Sequence, residues 1–129
     1  MKSPRLPSAL VIAVDAVLVV AFCVIGRRSH AEGILGDLPG LGSTLWPFLV
    51  AVLVAHVVVR LAKLPADRWT AGGVVWAVTV VLGLVLRAIS GQGTAPSFMI
   101  VTTLVLALFL IGWRLIVALV RRMRARPRS

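Results

Sequence analysis

The chain has 129 residues, of which 60% are hydrophobic and 14% charged, and its mean hydropathy is +1.03. That balance excludes a water-soluble globule, whose surface needs more charge, and fits segments whose solvent is lipid. The net charge of +10 comes from 14 Lys and Arg against Asp15, Glu32, Asp37 and Asp67. Because the basic residues stand at the ends of apolar runs, they point to the head groups of a phospholipid bilayer, and no nucleic-acid partner is expected.

Four apolar runs, at about 8–25, 44–62, 70–89 and 97–120, reach the roughly 18 to 20 residues that cross about 30 Å of hydrocarbon at 1.5 Å per residue. The valines do not make these strands, since a lipid-facing barrel strand alternates polar and apolar residues over about ten positions. The first run holds the sole cysteine, Cys23, which has no second cysteine for a disulfide or a metal site. Phe22 precedes it, where a lipoprotein signal requires a small residue, and no Ala-x-Ala-like cleavage site follows, so a retained anchor is expected.

A Gly-rich stretch at 26–43 leads to the second run, where Thr44 or Ser43 is expected to cap the helix with Pro47 in its first turn. Short turns at 63–69 and 90–96 bound the third run, and Thr94 is expected to cap the fourth helix with Pro96 in its first turn. Residues 121–129 read as a basic tail. The chain is therefore expected to be one domain, an all-α membrane protein with four transmembrane helices in a compact bundle. Lys2 and Arg5, the second turn (Arg60, Lys63, Arg68) and the tail (Arg121, Arg122, Arg124, Arg126, Arg128) outweigh Arg27, Arg28 and Arg87 on the other side. Positive charge resists translocation, so both termini are expected to be cytoplasmic.

Trp46, Trp69 and Trp113 fall near helix ends, where an indole sits at the lipid interface with its N–H in the wet layer. Small residues four apart suggest close helix packing at Ala9 and Ala13, Ala51 and Ala55, Gly73 and Ala77, Thr79 and Gly83, and Thr103 and Ala107.

Three ionisable residues, Asp15, His56 and Arg114, lie within the apolar spans, where an unpaired charge costs several kcal/mol. Counting along the helices puts Asp15 and His56 roughly 9 to 11 Å deep and Arg114 within snorkelling reach, so the three can meet at one level. One reading is an Asp15–Arg114 ion pair that fixes which helix faces touch. The other is a proton or cation path through Asp15 and His56.

A second constellation lies at the opposite end: Arg27, Arg28 and His30 after the first run, Arg87 at the end of the third, and the Gly91, Gln92, Gly93, Thr94 turn. Glycine-turn N–H groups at a helix start, with arginines beside them, are the chemistry of an outward-facing anion site. The plainer reading is that these arginines bind lipid phosphates or pair with Glu32 and Asp37. Thr79, Gly83 and Arg87 recur four apart with Trp76 on the same side, a face that lines a passage or packs a neighbour. No catalytic triad, paired catalytic carboxylates, HExxH string, phosphate loop or dinucleotide fingerprint occurs, so no catalytic residue, metal or cofactor is expected, and the balance leans away from an enzyme.

At Asp15, the Gly26-Arg27-Arg28-Ser29-His30 string, Trp46-Pro47-Phe48, Trp76, Arg87 and Gly91-Gln92-Gly93-Thr94, the chain resembles a prokaryotic family of small membrane proteins, frequent in actinobacteria and catalogued as domain of unknown function 3054. The resemblance covers almost everything between the two basic ends and implies no substrate, cofactor or catalytic residue. The expected function is a small transporter or channel-like subunit for an anionic solute, with an outward-facing anion site, in a bacterial inner membrane; the expected partners are the bilayer and an anionic solute or lipid head group. The alternative is a non-catalytic accessory or scaffold partner, alone or in a homo- or hetero-oligomer.

Overall fold

The structure, a computed structural model, describes residues 6–29, 38–91 and 96–124, without the side chains of 26–29 and 38–41. The described residues are almost wholly helical: α1 Ser8–Ser29, α2 Leu38–Leu61, α3 Trp69–Ile89, α4 Pro96–Leu106, a π-helical turn Ala107–Ile111, and α5 Gly112–Arg124. The last three form one continuous rod, so four helical spans are long and apolar enough to cross a membrane.

Each span buries one narrow stripe. On α1 it is Val11, Asp15, Val19, Phe22 and Cys23, and on α2 it is Phe48, Ala51, Val52, Ala55, His56 and Val59. The three- and four-residue spacing keeps each set on one helical face. The other faces carry exposed apolar side chains, among them Val17, Leu53, Val57, Val81, Leu104 and Ile116, as lipid contact requires.

The packing order follows the chain. α1 packs on α2, α2 most extensively on α3, and α3 on the fourth span, which closes back on α1. Among the described residues α1 and α3 do not pack on each other, which leaves α1 diagonal to α3. Two glycines on α3 permit the closest approaches: a Cβ at Gly72 would stand 2.7 Å from the Arg114 Cδ and 3.2 Å from the Leu110 carbonyl oxygen, and one at Gly83 would meet the Phe48 ring at 2.5 Å. Of the expected small pairs, Ala51 with Ala55 and Thr79 with Gly83 are buried. Ala9, Ala13 and Ala77 are exposed, and Gly72, one residue before Gly73, makes the close contact.

Three element boundaries and one helical pitch differ from the expectation, the first being that α1 runs on to Ser29, past the expected end at 25. α2 begins at Leu38, so neither Ser43 nor Thr44 caps it; Pro39 takes the first turn, where a missing N–H is harmless, and Pro47 lies inside the helix. α5 continues to Arg124, so the tail begins four residues late. The fourth span carries the π turn, a one-residue expansion that no local residue announces. The expected cap Thr94 lies outside the described residues.

α2 ends in a Schellman motif, with the Leu64 N–H donating to the Val59 carbonyl and the Lys63 N–H to that of Arg60, each at 3.1 Å. Lys63 carries the left-handed φ of 59° the motif needs, a position that glycine usually fills.

Candidate functional site

The fourth span determines the site. Its buried residues Thr102, Leu106, Leu110 and Arg114 recur strictly every four. In an unbroken α-helix that spacing drifts about 40° per step, so Arg114 would lie about 120° from Thr102. The π turn absorbs one residue, about 100°, and returns Arg114 to the buried face.

Arg114 and Asp15 are both 0% exposed, and they meet as a two-pronged pair: Nη1 donates to Oδ1 at 2.9 Å and Nη2 to Oδ2 at 2.7 Å. His56 Nε2 lies 2.7 Å from Oδ2, and the Trp113 indole donates to Oδ1 at 2.9 Å. Each carboxylate oxygen therefore has two partners. Arg114 spends further donors on backbone, Nε to the Ala66 carbonyl at 2.9 Å and Nη1 to that of Leu110 at 2.7 Å, and its guanidinium lies 4.8 Å from the Trp113 ring. This is the compensation a buried ion pair needs, with the remaining lone pairs and protons satisfied.

The three ionisable residues singled out in the spans thus share one carboxylate. Arg114 turns inward and does not snorkel to the surface, and Trp113 directs its N–H into the cluster and not into an interfacial wet layer. Trp113 was missed as a partner because its position at a helix end fits an interfacial anchor equally well. Trp76 is likewise used in packing, donating to the Thr103 carbonyl at 2.9 Å across α3 and α4.

One wall of the cluster borders open space. A cavity of about 370 Å³ at the basic end is lined by Ser8, Ile12, His56, Arg60, Lys63 and Leu64, among others. Beside it, Asp67 accepts from Arg121 Nη1 at 2.9 Å and from the Leu6 backbone N–H at 3.1 Å, tying the start of α1, the second turn and α5 together.

Of the residues considered for an outward-facing anion site, His30, Gln92, Gly93 and Thr94 and the side chains of Arg27 and Arg28 lie outside the described residues. Arg87 lies over the Phe98 ring at 4.4 Å, on an aromatic cluster in which Phe22 meets Phe48 edge to face at 5.8 Å. Gly91 takes the left-handed φ of 81° that ends α3. Since α1 and α3 are diagonal, the first helix neighbours only the fourth span of the two it would have to join there. On α3, Gly83 packs against Phe48, so that face packs a neighbour, while the buried Thr79 and Thr102 hydroxyls have no hydrogen-bond partner among the described residues.

Fold and site together define a multi-pass, four-helix membrane protein with an ion pair and a histidine enclosed between its helices. The family model described as "Protein of unknown function (DUF3054)" matches residues 12–117, and the chain belongs to that family. The match contains Asp15, His56, Trp113 and Arg114, so the whole cluster falls within the family's domain. No curated protein and no solved structure matches.

Proposed function

We propose that the protein is a small transporter or channel-like subunit for an anionic solute, seated in a bacterial inner membrane with both termini in the cytoplasm. The observation that carries this reading is the basic-lined cavity whose wall includes His56, one hydrogen bond from the buried Asp15–Arg114 pair. A bundle needing only to stay folded gains little from an ion pair that apolar residues of similar volume could replace. The outward-facing anion site at Arg27, Arg28, His30, Arg87 and residues 91–94 belongs to the same reading, as the other end of the path.

An accessory role is the second reading. It is favoured by the apolar packing between the cluster and the opposite end, where Val19, Phe22, Phe48, Val52 and Leu106 are all buried. One pair of measurements separates the two. Purified protein is screened by thermal shift against anionic metabolites, since a ligand at 100 times its Kd adds about 2.7 kcal/mol to the folded state. Each hit is then followed as saturable uptake into reconstituted vesicles. A selective shift with flux supports the carrier; neither, over a broad anion panel, leaves the accessory reading.

A further inference from the structure

We infer that the basic-end cavity is a site for a phosphate-type oxyanion, and that the anion binds together with one proton taken up by His56. The inference rests on the anionic-solute reading above and adds the location, the ligand chemistry and the coupled proton.

The charge balance around the cavity leads to this assignment. Asp15 from α1 and Arg114 from α5 neutralise each other. Arg60 from α2 and Lys63 from the following turn line the cavity, and no carboxylate among the described residues does. Asp67, the acid on that turn, is engaged by Arg121 and the Leu6 N–H. Among the described residues, the charge facing the cavity is therefore positive.

The helix ends reinforce that sign. Ser8, the first residue of α1, brings the positive end of a 22-residue helix to the cavity. The negative end of α2 is muted, because the carbonyls of Val58, Val59 and Arg60 accept from the N–H groups of Ala62, Leu64 and Lys63. A volume of about 370 Å³ suits a small molecule and exceeds what a single water needs.

His56 is the group that takes up the proton. It is 7% exposed, lines the cavity, and has one ring nitrogen on Asp15 Oδ2. A proton on this ring makes both nitrogens donors: Nε2 keeps its bond to Asp15 and Nδ1 becomes a new donor. Asp15, which holds Nε2, is already neutralised by Arg114, so a proton on the ring places a positive charge at the cavity wall beside Arg60 and Lys63. An anion in the cavity attracts that charge. By linkage, an anion that favours the proton is itself favoured by falling pH, by the same factor. For one proton the limit is tenfold in affinity per pH unit.

The experiment uses the full chain in zwitterionic nanodiscs and sodium sulfate, a probe whose own charge is constant from about pH 8 to about pH 6, where histidine titrates. Calorimetry in buffers of different ionisation enthalpy counts the protons. The expected result is close to one proton bound per sulfate and an affinity that rises several-fold to tenfold per unit fall in pH. His56→Gln, which keeps a hydrogen-bonding group toward Asp15, should bind with no pH dependence, and Arg60→Gln with Lys63→Gln should weaken binding at least tenfold at every pH. The proton count on the unaltered protein stands even where a variant fails to fold. Loss of sulfate binding in discs containing phosphatidylglycerol would make a lipid phosphate the occupant, and undisturbed binding a free oxyanion; both satisfy the site. No sulfate binding, no proton uptake, or a pH dependence that persists in His56→Gln overturns the inference. Saturable anion flux without this binding would remove the inference and leave the carrier reading, whereas one-proton binding without flux would do the reverse.

Discussion

Replacing Asp15 by Asn changes one atom and removes one charge. The carboxylate accepts from Arg114 twice and from Trp113, and pairs with His56. An amide oxygen can keep one side of that set, but its NH2 then faces donors, and Arg114, 0% exposed, is left as an uncompensated buried cation. Breaking one partner from a buried pair costs about 3–5 kcal/mol, and complete enclosure puts this site toward the upper part of that range. Removing both charges together, as Asp15→Leu with Arg114→Met, leaves no buried charge unpaired and should restore part of the loss, because apolar replacements of buried pairs are often near neutral, while the Trp113 N–H and His56 still lose their carboxylate partner. The assay is reversible unfolding in mixed micelles, followed by helical circular dichroism, for both single variants and the double one. A cost below about 1 kcal/mol for Asp15→Asn, or a double variant whose loss equals the sum of the singles, would show that the pair is not coupled and refute the reasoning.

Trp113→Phe removes one donor to a charged acceptor while keeping an aromatic ring, and should cost about 1.5–3 kcal/mol in the same assay. Gly72→Ala forces a methyl onto Arg114 and the backbone of the π turn, so a loss of about 1–3 kcal/mol is expected, larger than for Gly73→Ala, where the space is open. Deleting Leu108, 69% exposed within the π turn, should return the segment to α pitch with Arg114 still on the buried face. Inserting an alanine after Leu108 turns Arg114 away and should cost at least the roughly 3 kcal/mol of a broken pair. For orientation, single cysteines at positions 2, 68 and 126 should react only with reagents that reach the cytoplasm, and those at 32 and 92 only from outside; labelling of position 92 from the cytoplasm alone would invert the topology.

The number of spans, their helical nature and their approximate ends are written in the sequence, because a segment crossing hydrocarbon must be long, continuously apolar and self-satisfied in its backbone hydrogen bonds. Asp15, His56 and Arg114 were legible as special for the same reason, since polar groups in such runs are costly and seldom idle. Their actual geometry was not legible. A single helix has every face apolar here, so periodicity could not tell the buried stripe from the lipid-facing one, and Ala9 with Ala13 looked as good a contact as Ala51 with Ala55. The start of α2 at Leu38 was hidden because glycines at 40 and 42 read as loop, although glycine only weakly disfavours a helix. Trp113 and Arg114 are consecutive in the chain, and bringing both to Asp15 takes a π turn upstream and a bare Gly72 opposite. The cavity beside His56 exists only because α1, the end of α2 and the following turn meet at one level. Local chemistry selected the groups and the membrane selected the helices; which groups touch was decided by rotation of each helix about its own axis, a quantity that only packing against its neighbours can set.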